Sequence, residues 1–443
     1  MIKQIKTPMW DQMQVFCKHI ADHQIRMILK FNSMLNDSLL RAAIEIAIRQ
    51  NPIIFAKFVE EDKHAFWRFS RSEVDKVFLY KECNDPEPVL NKTILERIES
   101  STEPQLFITL IRSKRSKSDI LVLNCNHAIT DAAGVKNFAY QLAELYNDVL
   151  NNLTFIESPY HPMRSLTVLS NDLKFKQKLD VLKVTASNKK SAPTFHRPIK
   201  VDQLQNPDFK IYSVAPAAFE RIRNFGKQHG ATINDVLLSL FYKTFKSLLP
   251  NVNETNRLSY ASDLRVFMAA GEYDVLSNFS AIHNIDIDNS IVVFEDIVKE
   301  ISRQTTIRKQ KKYSLADFPV IAMLFKVMPY NKLKNVFHKQ FDTIKEGKLH
   351  AAPSLTNIGV IEETKLNFDG MFPENAYVLG GVNHPALFQI AVSTYKKQMT
   401  ISIGTYFNDT NKAFATKFIN EFQSNINKEI VGKMPENPSG LEN

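Results

Sequence analysis

The sequence predicts a mixed α/β protein built as two packed lobes, and three observations point there. Segments with the period-two alternation of strands are interspersed with segments of helical period, without the strict strand–helix–strand alternation of a parallel sheet. The 443 residues exceed what one typical domain needs. A stretch rich in proline and lysine, 158–208, separates the halves and reads as a crossover with one helical piece inside it. We place the N-terminal lobe at 1–160, the linker at 161–208 and the C-terminal lobe at 209–443.

The elements follow in order. Ile25, Met27, Leu29 and Phe31 alternate with Arg26, Ile28 and Lys30, the pattern of a strand. Asp37 reads as the N-cap of a helix that carries Leu40, Ala43, Ile44 and Ala47 on one face, and Pro52 closes it. Strands at 107–111 and 120–124 pair around the basic turn 112–117, which reads as a solvated hairpin tip rather than a phosphate contact. In the second half, Asn234 or Asp235 opens an apolar helix through Leu237, Phe241, Phe245 and Leu248, ended by Pro250. Strands follow near 258–264 and 281–288. A hairpin joins 388–395 to 399–406 across Lys396-Lys397-Gln398. The apolar run 315–328 lies between lysine-rich flanks and reads as a core helix with solvated ends, in preference to a segment that touches a membrane or an acidic carrier protein.

Composition narrows the function classes. Hydrophobic residues make up 44% and charged residues 23%, which excludes disorder, collagen-like repeats and a coiled coil. Thirty-one phenylalanines suggest large cores or an apolar pocket. No apolar run approaches the roughly 18 to 20 residues of a membrane span. The N-terminus lacks a secretory h-region, and Cys17, Cys83 and Cys125 form no disulfide framework or zinc ribbon; we expect a reduced cytoplasmic protein. The formal charge of +9 could suit an anionic partner, yet the basic residues are dispersed and carry no nucleic-acid-binding signature. Nucleic acid is not expected as a partner.

The chemistry concentrates in one stretch. An apolar strand, Ile120-Leu-Val-Leu-Asn-Cys, runs into Asn126-His127-Ala-Ile-Thr-Asp131. A helix follows at once, with Val135, Phe138, Leu142 and Leu145 on one face. A residue at a strand end is held by the sheet yet can face a crevice, a suitable place for a catalytic base. The His-x-x-x-Asp spacing alone is weak, because His338-Lys-Gln-Phe-Asp342 has it too. We discount that second copy, since it lies in a lysine-rich, helical stretch with no strand leading in.

This context resembles the chloramphenicol acetyltransferase-like acyltransferases, whose active-site motif is His-His-x-x-x-Asp-Gly. The superfamily includes condensation domains, alcohol acetyltransferases, wax ester synthases and polyketide-associated acyltransferases. Gly230-Ala-Thr-Ile-Asn234-Asp235 resembles the helix-opening segment of the second lobe, and Asp263-Leu264-Arg265 the Asp-x-Arg strand end. Ser354-Leu-Thr-Asn357-Ile-Gly359 resembles the Ser-Asn-x-Gly segment of the alcohol and wax-ester branches. The resemblance covers nearly the whole chain. Asn126 stands where the first histidine would, which argues mildly against a standard peptide-bond condensation domain. Ala132 stands where the glycine would, with Gly134 two positions on.

The resemblance implies two chloramphenicol acetyltransferase-like lobes with a tunnel between them and His127 as general base. A neutral imidazole near its ordinary pKa of about 6.5 can take a proton from a hydroxyl or amine; a structural histidine at a strand end is the plain alternative. Asp131 could be a relay member or a helix N-cap. The resemblance adds a third role, a buried salt bridge to Arg265 that fixes the His127 loop. Asn126 orients that loop or is a turn amide. Asn357, with Ser354 and Gly359, either contacts substrate or oxyanion or forms a turn, and Asp263 is structural.

The implied donor is acyl-CoA or an acyl carrier protein, its phosphopantetheine thioester serving as co-substrate, with no bound cofactor. The acceptor is a small-molecule alcohol or amine, ester formation being favoured over condensation-type amide formation on carrier-bound substrates. A reading of another class is a non-catalytic protein that binds a carrier domain. A monomer is expected. No metal site is expected, since His19 and His23, one helical turn apart near Cys17, have no third placed ligand. The chain also lacks a nucleophile elbow, a phosphate-binding loop and a dinucleotide fingerprint.

Overall fold

The computed structural model describes residues 3–153, 163–165, 169, 194–197, 206–250, 253–269, 271–315 and 318–432. Most of the crossover at 161–208 therefore lies outside the described residues.

In chain order the first strands are β1 (Gln4–Lys6), β2 (Gln24–Lys30), β3 (Ala56–Glu60), β4 (Ala65–Phe69), β5 (Phe78–Cys83), β6 (Leu106–Ser113) and β7 (Ser118–Asn126). The rest are β8 (Pro207–Val214), β9 (Thr255–Asp263), β10 (Ser280–Asp288), β11 (Ser354–Val360), β12 (Asn375–Leu379), β13 (Gln389–Tyr395) and β14 (Gln398–Tyr406). They form a five-stranded sheet ordered β12-β2-β7-β6-β5, a six-stranded sheet ordered β10-β9-β11-β13-β14-β8, and a small sheet β1-β4-β3. β12 comes from the second half of the chain yet pairs antiparallel with β2, Tyr377 opposite Ile28.

Helices pack on the apolar faces of both large sheets. In the first lobe, Met27, Leu29, Leu121 and Leu123 share a core with Leu40 and Ile44 of α1 (Asp37–Gln50) and with Phe138 and Leu142 of α2 (Ala132–Leu150). The other face of β2 is buried as well: Ile28 packs with Val122, Tyr377 and Phe209, the last from β8 of the second lobe. In the second lobe, α3 (Ile233–Leu248) sends Leu237, Phe241 and Phe245 against Ile390, Val392 and Ile401.

Several local expectations shift by a residue or two. Asn36 rather than Asp37 caps α1, its Oδ1 accepting the N–H groups of Ser38 and Leu39. Thr232 caps α3, and Asp235 is the reciprocal member of a capping box. The hairpin between β13 and β14 turns through Lys396 and Lys397, both with positive φ (46° and 64°), as a two-residue turn matching strand twist requires. The run at 315–328 departs further from its reading. Helix α4 (Phe318–Val327) turns Phe325 toward Phe16 and Phe337 but leaves Met323 66% and Val327 64% exposed, so it is a surface helix. Among the described residues, no helix is long and apolar enough to cross a membrane.

Candidate active site

β7 ends at Asn126, and the chain turns through 127–131 before α2 begins. Asn126 builds that turn. Its Nδ2 donates to Ser100 Oγ (2.9 Å) and Gln105 Oε1 (2.6 Å), while its Oδ1 accepts the Ala128 N–H (3.1 Å). The side chain is fully buried and orients the loop.

Asp131 closes the other end, both as a helix N-cap and in the salt bridge that the resemblance implies. As N-cap it accepts the Gly134 N–H (2.9 Å). Across the lobe boundary it pairs with Arg265 Nη1 (2.9 Å) and accepts from the Phe279 N–H (2.7 Å) and Ser280 Oγ (3.0 Å). Burial alone would raise the carboxyl's pKa, but the Arg265 charge and these hydrogen bonds hold it below the ordinary value. Arg265 also binds Ser277 O (2.7 Å) and Asp263 Oδ1 (3.1 Å), so Asp263 sits at the outer edge of this cluster. Gly134 is where the fold needs a glycine: a Cβ there would stand 2.0 Å from Thr130 Oγ1 and 2.8 Å from Val275 O.

His127 is half-buried between these anchors. Its Nδ1 lies 3.2 Å from Asn278 Oδ1. The Asn278 amide nitrogen faces Asp11 Oδ1 (3.0 Å), His127 O (3.0 Å) and Ala128 O (3.1 Å), which fixes the amide so that its oxygen meets the ring. The network therefore assigns the proton to Nδ1 and leaves the Nε2 lone pair as the basic site. Burial lowers the imidazole's pKa, opposed by hydrogen bonds to its own carbonyl and to Asn278 and by the charge of Asp131. Asp11 in turn is buried, pairs with Arg164 (2.8 Å) and accepts from Trp67 Nε1 (2.9 Å).

The remaining candidates lie on or beside β11. Ser354 pairs with Gln389 at its start. Asn357 Oδ1 accepts the Gly359 N–H (2.9 Å), and Gly359 has φ +77°, so this segment forms the turn that interrupts the strand's register. Lys136 from the second turn of α2 donates to Ile358 O (3.2 Å) and Val360 O (3.3 Å), tying the interruption to the helix that follows the His127 loop. His19 and His23 diverge: His19 Nε2 meets Asp342 at 2.6 Å, while the His23 ring lies 4.7 Å from that of His127. Among the described residues, no cluster could hold a metal ion.

Sequence reasoning missed Asn278, Asp11 and Arg164, and it considered His23 only as a metal ligand. No local signal marks them, since their relation to His127 exists only in space.

A scan of family models gives no match, and neither does a search of curated protein sequences. Solved structures do match along nearly the full length. Trichothecene 15-O-acetyltransferase from Fusarium sporotrichioides is 13% identical with a TM-score of 0.70, covering 96% of this chain and 95% of its own. Polyketide synthase associated protein 5 from Mycobacterium tuberculosis is 15% identical with a TM-score of 0.65, covering 95% and 96%. The first condensation domain of the CDA synthetase is 10% identical with a TM-score of 0.69, covering 95% of each chain. The chain has the acyltransferase and condensation-domain fold. This is the two-lobed architecture that the motif resemblance implies.

Proposed function

We propose that the protein is an acyltransferase that moves an acyl group from a CoA or carrier-protein thioester to an alcohol, with His127 as general base. One observation carries the reading: a loop anchored at both ends presents an imidazole whose Nδ1–H is engaged by Asn278, so that Nε2 is the basic nitrogen. The fold shared with acyltransferases and condensation domains supports it.

In this reading the acceptor hydroxyl attacks the thioester carbonyl while Nε2 takes its proton. The tetrahedral intermediate collapses, the carbon–sulfur bond breaks, and the imidazolium returns the proton to the departing thiolate. Asp131 and Arg265 fix the loop and exchange no proton. The free thiols Cys17, Cys83 and Cys125 suit a cytoplasmic setting.

The test is thiol release by the purified wild type and His127→Ala over acyl-CoAs of increasing chain length, with pooled alcohols and amines and product masses determined. Wild-type turnover that falls about 10²- to 10⁴-fold in the variant is expected. Equal turnover by both proteins eliminates His127 as the base. Activity confined to carrier-bound donors with an amine acceptor turns the assignment toward amide formation.

A further inference from the structure

The acyl-transfer reading leaves one group beside His127 without a role. His23 stands between the end of helix 9–17 and β2, and its carbonyl accepts the His127 backbone N–H (3.0 Å). The two rings lie 4.7 Å apart, tilted by 42°. His23 holds a backbone φ of +52°, in the left-handed region that few residues other than glycine adopt. The surrounding contacts impose it. Asp22 pairs with the buried Arg26 and accepts the Val382 N–H (2.8 Å), Ile20 O accepts the His384 N–H (2.8 Å), and Gly381 packs against His23 with no side chain of its own. Backbone held in this region by several contacts is a feature that clusters at functional sites.

The nitrogens of His23 are distinguishable. Nδ1 is buried and has no hydrogen-bond partner. A buried N–H without an acceptor is rarer and less tolerable than a buried lone pair, so the ring proton belongs on Nε2. Burial, followed by the nearness of His127 and Lys18, pushes the imidazole's pKa well below its ordinary value and keeps the ring neutral. The two imidazoles thus carry opposite tautomers: His127 is protonated on Nδ1 and His23 on Nε2. One presents a lone pair, and the other an uncharged N–H donor. The Asn126 amide donates to Ser100 and Gln105 and has no N–H free for that role.

We propose that His23 is the oxyanion donor of the site, its Nε2–H binding the thioester oxygen as that oxygen takes up the carbonyl electron pair. The proposal rests on the acyl-transfer reading. When the acceptor oxygen bonds to the carbonyl carbon, its proton passes to His127 Nε2, and the carbonyl π pair moves onto the oxygen that His23 holds. When that pair returns, the carbon–sulfur bond breaks and the thiolate takes the proton back from His127. His23 exchanges no proton in either step.

The experiment compares wild type, His127→Ala, His23→Phe, His23→Asn and His23→Asp with the acyl thioester and acceptor that give turnover, measuring kcat, KM and Tm. His23→Phe keeps a ring and removes the donor; kcat is expected to fall about 10²-fold with KM nearly unchanged, the size typical of losing one oxyanion donor. Asn and Asp share a shape and both tolerate the left-handed backbone, but only Asn donates. His23→Asn is expected to exceed His23→Asp at least tenfold, and this pair decides the matter if the phenylalanine variant melts early. Turnover that requires His127 and is undiminished in His23→Phe overturns the proposal alone. Equal losses in the Asn and Asp variants also overturn it, reducing His23 to a structural part. Absence of His127-dependent turnover in the wild type overturns both the proposal and the reading beneath it.

Discussion

The two ends of one five-residue loop are treated in opposite ways. Asp131 is saturated: one guanidinium, two backbone N–H groups and a serine hydroxyl fill its oxygens. His127, four residues earlier, has its Nδ1 occupied by Asn278 and its Nε2 left as a lone pair. A carboxylate so fully engaged serves to fix the backbone, whereas a half-engaged imidazole can still react. The contrast teaches that sharing a motif does not mean sharing a job.

Mutations at the two ends should separate cleanly. His127→Ala should produce the largest rate effect, about 10²- to 10⁴-fold, with a Tm near the wild-type value. Asp131→Ala leaves Arg265 buried without its main partner and should destabilise the fold by about 3–5 kcal/mol, read as a lower denaturation midpoint together with lost rate. An activity loss at unchanged Tm in Asp131→Ala breaks the comparison, for it would make the carboxylate part of the chemistry. Asn278→Ala tests the link between the ends. It strips donors from Asp11 and two carbonyls, which should destabilise the protein by about 1–3 kcal/mol, and it releases the tautomer, which should slow turnover up to about tenfold.

The smallest effect is the most diagnostic. Since burial lowers the His127 pKa, the acid limb of kcat/KM should lie below the ordinary imidazole value of about 6.5, with the rate rising as pH climbs through it. The Asn278 hydrogen bond favours the protonated ring, so Asn278→Ala should move that limb to still lower pH. A limb that stays in place would mean that the amide does not reach Nδ1 in solution.

What could be read from the sequence divides along the same line. The strand, turn and helix around His127 were legible because 120–145 carries a short apolar run, then polar residues, then period 3.6 without interruption. Arg265 was legible through its own strand-end motif, although the partnership came from resemblance and not from spacing. Asn278, Asp11 and His23 were not legible, because only the packing of helix 9–17, the residue after Asp22 and the segment leading into β10 against the loop gives them meaning. The caps at Asn36 and Thr232 were each missed by a short step for a smaller reason: several neighbouring polar residues can cap, and the backbone angles choose among them.

The pairing of β12 with β2 also has a consequence in time. A ribosome makes β2 and β7 long before Asn375–Leu379, and at about 5–20 residues per second that interval amounts to roughly 12–50 s. Throughout it, the first lobe has a finished helical face and an open strand edge, along Arg26 to Lys30, that any other extended chain could join. The growing polypeptide therefore needs its own second half, or a chaperone, to occupy that edge. A fragment expressed as the first lobe alone should associate with itself through β2, and a synthetic peptide of the β12 sequence should compete with that association.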